Sequence, residues 1–229
     1  MIRFFTFTSL LVLIASIVIS CNEKRNTIPV NNAAADSLAP EFITLKASGR
    51  TEEELVRLLT EYVWFVKENL IQRNKTYSLT EQELNALRDA QSDRELNRAI
   101  NGLGGNGGVL VRSFPHYRDL SKSVEDQNLD MERISKLVAR KITEKIYQNR
   151  FGTQKIPECA KLCRRQLNTD MESCENELAL EIGATLVAGA ISVGMVRADG
   201  LVFVVGAYFN CESTAFASFD VCSMNCGVN

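Results

Sequence analysis

Apolar residues recur at spacings of three and four through most of residues 49–152, the period of helices that bury one face. Leu55, Leu58, Leu59, Tyr62, Val63, Val66 and Leu70 form the first stripe, and Thr51-Glu52-Glu53-Glu54 ahead of it has the spacing of a capping box. Trp64 and Phe65 widen the arc and read as core. Thr80 with Glu83 starts a second helix carrying Leu84 and Leu87, and Ser92 with Glu95 restarts or continues it through Leu96 and Ile100. Over residues 129–149, Met131, Ile134, Val138, Ile142 and Ile146 line one side, while Lys136, Arg140, Lys141 and Lys145 read as a solvated face. Gly152 ends that helix, and Pro157 opens the next at a position where its missing N–H is not needed.

Two stretches depart from the helical period. Gly102-Leu103-Gly104-Gly105-Asn106-Gly107-Gly108 reads as a flexible connector. A phosphate-wrapping loop leaves a strand and opens a helix, whereas this one follows a helix, precedes the β-like Val109-Leu110-Val111 and lacks a Lys-Ser/Thr pair. The only histidine, His116, lies in the turn-like Ser113-Phe114-Pro115-His116-Tyr117. No nucleophile or orienting acid accompanies it at a recognisable spacing, so it reads as a surface or packing residue.

The C-terminal third carries a different pattern. Cys159, Cys163, Cys174, Cys211, Cys222 and Cys226 are separated by 4, 11, 37, 11 and 4 residues, a series that reads the same in both directions. At 100° per residue, gaps of 4 and 11 set three thiols within about 60° of one another, on one stripe of a helix. Leu167, Met171 and Leu178 border the first stripe, and Phe216 and Phe219 border the second. Six cysteines allow 15 pairings. The mirror series selects one, since 159 with 226, 163 with 222 and 174 with 211 share a constant sum, the register rule for antiparallel rods of equal rise. The expected fold class is therefore mainly α: a small helical bundle over residues 49–152, then an antiparallel helical hairpin over 153–229 with three inter-helix disulfides.

The pairs Cys159/Cys163 and Cys222/Cys226 resemble the twin Cys-x3-Cys hairpins of the small mitochondrial intermembrane-space chaperones. The resemblance covers the motif alone, because this chain adds a third rung and a longer connection, and it implies no chaperone function. Four thiolates could instead hold zinc, but Cys-x2-Cys knuckles are absent and no metal is expected. Between the inner cysteines lie residues 183–196 and 201–209, apolar and small, with Gly183, Gly189, Gly194 and Gly206 placed to let backbones approach. The mirror centre falls between Ser192 and Val193, yet the best turn signal is Ala198-Asp199-Gly200. Either the helix breaks between Gly189 and Gly194, or the tip folds as a separate unit, or residues 187–205 form a β-hairpin.

The first residues refine the picture of location. Arg3, an apolar run over residues 10–19 and small residues before Cys21 make a secretory leader. Val18-Ile19-Ser20-Cys21 resembles the bacterial lipobox, whose cysteine is acylated and becomes the mature N-terminus. The resemblance implies a lipoprotein signal peptide over residues 1–21, lipidation at Cys21 and a protein anchored by lipid in the cell-envelope membrane. If the host has two membranes, the family's sorting habits lean toward the outer one. Cysteine arithmetic agrees, for modifying one of seven thiols leaves an even six. Residues 22–48, with no sustained apolar period, read as a flexible tether.

Composition then narrows the function classes. A net charge of −2, or −3 once Arg3 leaves with the leader, implies no nucleic-acid partner. Glu172, Glu175 and Glu177 read as a solvated helix face, and thiol oxidoreductase chemistry lacks its Cys-x-x-Cys. No catalytic residue and no cofactor is expected. The expected function is a non-enzymatic interaction or structural module whose partner is another envelope component. The alternative is a membrane-active or bacteriocin-like module carried by the hairpin, whose composition loosely resembles cysteine-rich antimicrobial proteins of the halocin type.

Overall fold

Each serine or threonine marked as a helix start caps a helix. In the computed structural model, which describes residues 50–71, 79–152, 158–191, 199–224 and 226, Thr51 accepts the Glu54 N–H at 3.2 Å and opens α1 (Glu52–Leu70). Thr80 opens α2 (Glu81–Arg88) with the reciprocal box, Glu83 Oε2 accepting the Thr80 N–H at 2.7 Å. Ser92 opens α3 (Asp93–Gly102) by accepting from Glu95 N–H. The leader with Cys21, the tether, Pro157 and residues 192–198 lie outside the described residues.

The glycine segment and the residues after it form something other than a loose connector leading to a strand. Asn106 caps α4 (Gly107–Asp126), which takes in Val109-Leu110-Val111, Pro115 and the half-buried His116. Neither the β-like stretch nor the turn at His116 exists. Local preference yields here because Leu110, Tyr117, Leu120 and Val124 form a helical stripe buried in the core. Burying those side chains, at roughly 1.5–3 kcal/mol each, outweighs propensity costs of a few tenths of a kcal/mol for each valine, about 1 for each glycine and about 3 for Pro115. Pro115 lies on the exposed side, where the carbonyl left unpaired one turn earlier is nearest to water.

The glycines let the start of α4 pack closely on the end of α1 and on α3. A Cβ on Gly105 would strike the carbonyl oxygens of Leu70 and Asn69, and one on Gly107 would strike the backbone of Asn97. Asn106 N–H donates to Asn69 O at 2.6 Å across the same junction. Glycine at these two positions permits a close backbone approach.

Asp130 caps α5 (Met131–Phe151) by accepting from Arg133 N–H at 3.1 Å, and Gly152 ends it at φ +54°, a conformation costly for residues with a Cβ. A 3-10 turn (Glu158–Ala160) leads into α6 (Lys161–Ile191), and α7 (Asp199–Met224) follows. The mirror centre between Ser192 and Val193 lies outside the described residues. Asp199-Gly200 begins α7 instead of turning the chain, and residues 187–191 and 199–205 are helical, which rules out the β-hairpin.

Long helices α1 and α6 each pack against α4, α5 and α7, so the three intervening helices are held from two sides. Short α2 and α3 pack on each other, on α7 and on α4 respectively. Leu59 and Val66 of α1, Ile142 of α5, Leu167 and Leu178 of α6 and Val205 of α7 belong to one buried cluster. The boundary at residues 152–153 divides the chain but not the core. Gly206 lets α7 come close, for a Cβ there would lie 3.2 Å from Leu79 Cδ1 and 3.4 Å from Leu70 Cδ2. Gly183 does the same for α6 against Ser135 of α5.

Candidate functional site

Along the line where α6 meets α7, the sulfurs sit as the mirror series requires for two of the three rungs. Cys163 is bonded to Cys222 and Cys174 to Cys211, with Cα–Cα distances of 5.8 and 5.9 Å. Eleven residues separate the rungs on both arms, so two helices of equal rise keep step over roughly 16 Å. Two thiols of a four-thiolate zinc site are consumed by the Cys163–Cys222 bond.

The third rung is open. Cys159 and Cys226 are free, and Cys159 Sγ donates to the Cys226 carbonyl oxygen at 3.7 Å. Regular helix stops short of both residues: Cys159 lies in the 3-10 turn and Cys226 lies beyond Met224. A 3-10 turn rises about 2.0 Å per residue where an α-helix rises about 1.5 Å, so the register rule that seats the inner rungs no longer applies.

Aromatic rings join α5 and α7, and an arginine of α6 stands over them. Phe151 lies 5.8 Å from Phe216 and 5.4 Å from Phe219, and Tyr147 lies 6.1 Å from Phe216. Arg164 of α6 stands over Phe151 at 4.4 Å and Tyr147 at 4.9 Å. Arg150 stands over Phe216 and donates to Asp220 Oδ2 at 2.5 Å. These cation–π contacts add roughly 0.5–1 kcal/mol each where water still reaches the cation.

Deeper in the bundle, three tyrosine hydroxyls link helices that are distant in sequence. Tyr62 donates to Ser113 Oγ at 2.8 Å, since Ser113 spends its own proton on Leu110 O. Tyr117 likewise donates to Thr185 Oγ1 at 2.7 Å, because Thr185 donates to Ile182 O. Tyr208 and Thr143 are 2.9 Å apart, and Thr143 also serves the carboxylate of Glu175. Burial pushes the hydroxyls of all three tyrosines above their ordinary range, so they remain protonated donors. Glu175 is no simple solvated carboxylate: burial raises its carboxyl, while Thr143 and Arg140 pull it partly back. Glu172 and Glu177 are exposed, as a solvated face requires.

A charged seam lies between α1, α5 and α7. Lys67 Nζ sits 4.2 Å from the Trp64 ring centre and 4.3 Å from that of Phe209, and Lys145 Nζ sits 4.0 Å from Trp64. Burial lowers the Lys67 ammonium from its ordinary value against the pull of Glu212 and Glu68, and Lys145 lowers it further. Burial also raises the Glu212 carboxyl, opposed by Lys67 and Arg150. The folded chain therefore holds the Glu212 proton to higher pH than the unfolded chain does. Its contribution to stability is present below the unfolded value and is lost as pH rises through the folded one. Glu212→Gln removes that loss, so the variant gains stability relative to the parent as pH rises above 4.5. Urea midpoints of both proteins from about pH 4 to about pH 7 measure this. A difference that stays flat with pH would exclude a buried, titrating Glu212.

Among the residues read from the pattern, the hairpin cysteines come together, and His116 lies half-buried on α4. The hydroxyl links and the Lys67 seam carried no sequence signal beyond Tyr62 and Val66 sharing a face with the core. Their partners lie on other helices, and no periodicity within one helix can name them. Among the described residues, α7 is the one helix long and apolar enough to cross a membrane, and half of that stretch is buried inside the protein. Comparison with protein-family models, with curated protein sequences and with solved structures finds no match to this chain.

Proposed function

We propose that this chain is a lipid-anchored protein of the cell envelope, a non-enzymatic interaction or structural module whose partner is another envelope component. The observation that carries the reading is the pair of inter-helix bonds, Cys163–Cys222 and Cys174–Cys211, packed against the core of a mainly helical body. Such bonds form and persist in an oxidising compartment. A leader ending in Val18-Ile19-Ser20-Cys21 would deliver the chain to one and attach it there. Among the residues with shifted protonation, Lys67 and Glu212 oppose each other between α1 and α7, and Glu175 of α6 meets Thr143 and Arg140 of α5. That favours a rigid body displayed at a membrane over a reacting centre.

Lipidation is the testable part. The parent chain, expressed in bacteria fed labelled palmitate, takes up label and sediments with the membranes. Cys21→Ser loses the label and its leader is no longer removed at residue 21. An unlabelled parent chain, or label retained by Cys21→Ser, would sink the assignment.

A further inference from the structure

Two of the six hairpin thiols are free, and they sit together. Cys159 is exposed, Cys226 is partly exposed, and the Cys159 sulfur reaches the Cys226 carbonyl oxygen at 3.7 Å. Each inner rung is buried on its α6 side, with Cys163 5% and Cys174 1% exposed, while Cys211 and Cys222 are partly buried. Apolar neighbours pack against all four of those sulfurs, whereas Cys159 is exposed at the end of the hairpin. The two ends already meet while both inner rungs are bonded.

We propose that Cys159 and Cys226 form a reversible dithiol–disulfide site that exchanges with an external disulfide, while the two inner bonds stay closed. The exposed Cys159 thiolate attacks a disulfide such as oxidised glutathione, forming a mixed disulfide and expelling one glutathione thiolate. The Cys226 thiolate then attacks the Cys159 sulfur and expels the second. Two protein thiols are oxidised, one external disulfide is reduced to two thiols, and the two protein protons pass to the departing thiolates. Cys226 suits the second role: its thiol is pushed above its ordinary value, first by its hydrogen bond with Cys159 and then by burial. It becomes the attacking group once Cys159 is engaged and that hydrogen bond is gone. Closure ties the turn before α6 to the chain after α7, both outside regular helix, and so fastens the chain ends without altering the core.

The test uses the 229-residue chain with Cys21→Ser, which removes the seventh thiol and makes the result independent of lipidation. The protein is equilibrated in glutathione buffers from oxidising to reducing, quenched in acid and alkylated, and its bonds are mapped by peptide mass spectrometry. Oxidising buffers are expected to give all three bonds. Intermediate buffers give a species alkylated at Cys159 and Cys226 with Cys163–Cys222 and Cys174–Cys211 intact. Opening of the inner bonds requires a reduced-to-oxidised glutathione ratio at least about tenfold higher. Failure of Cys159 and Cys226 to bond in any buffer, or opening of all three bonds together, overturns the proposal. With Cys226→Ser, glutathione is trapped on Cys159. With Cys159→Ser, it is trapped on Cys226 several-fold more slowly, and equal or reversed rates would overturn the order of attack.

Discussion

Replacing Cys174 and Cys211 together by alanine is expected to lower the free energy of unfolding by about 3–4 kcal/mol. The bond closes a separation of 37 residues, for which loop-closure entropy alone gives about 4 kcal/mol in the unfolded chain. The Cys163–Cys222 bond remains and already restricts the same stretch, which moves the expected loss toward the lower figure. Cys174 is 1% exposed, so the missing sulfurs also leave a small void between α6 and α7. The double replacement is the informative one, because a single one would leave a buried thiol free to pair with Cys159 or Cys226. In urea, the variant should show a lower midpoint and a steeper dependence on denaturant, since its less cross-linked unfolded state exposes more surface. A loss below about 1 kcal/mol would mean that packing alone holds the two helices in register.

Phe216→Ala should cost about 3–5 kcal/mol, the range for emptying a buried phenylalanine site. Phe216 is 6% exposed, and its ring meets Tyr147 and Phe151 of α5 under the Arg150 guanidinium. The substitution thus strikes the junction between the hairpin and the preceding helices. Because one buried cluster runs through all the long helices, unfolding should stay a single transition in both parent and variant. Trp64 provides a local probe, for it lies on α1 with its ring 6.2 Å from Phe209 of α7. Its fluorescence should change at the same urea concentration as far-ultraviolet circular dichroism. Separate transitions for the two signals would mean that the hairpin folds independently of residues 50–152.

Helix starts were readable from the chain because a cap is a local device. Thr51, Thr80 and Ser92 each satisfy an N–H three residues ahead, and nothing outside that turn is needed. The inner disulfides were readable for a related reason: equal gaps on two rods of equal rise translate numbering into distance. That translation stops where the rods stop, which is why Cys159 and Cys226 meet without being bonded. The start of α4 was not readable. Glycines, a β-branched pair and a proline all speak against a helix over residues 107–117, and only the stripe from Leu110 to Val124, seen against its neighbours, reverses that judgement. Glu175 belongs to the same class, since a carboxylate spaced along a helix gives no sign that Thr143 will arrive opposite it.

Taken alone, the order of residues determined a mainly helical chain, the starts of α1, α2 and α3, the stripes that α1 and α5 would bury, and the pairing of Cys163 with Cys222 and Cys174 with Cys211. Periodicity, capping and cysteine spacing all act within one or two segments, and the sequence writes them directly. Tertiary structure decided that the hairpin shares one core with the preceding helices, that Gly105 packs on the end of α1 and Gly107 on α3, and that Tyr62, Tyr117 and Tyr208 join helices through their hydroxyls. Those outcomes depend on which surfaces meet when several apolar stripes are buried together, and that choice is made by the assembled volume of the core.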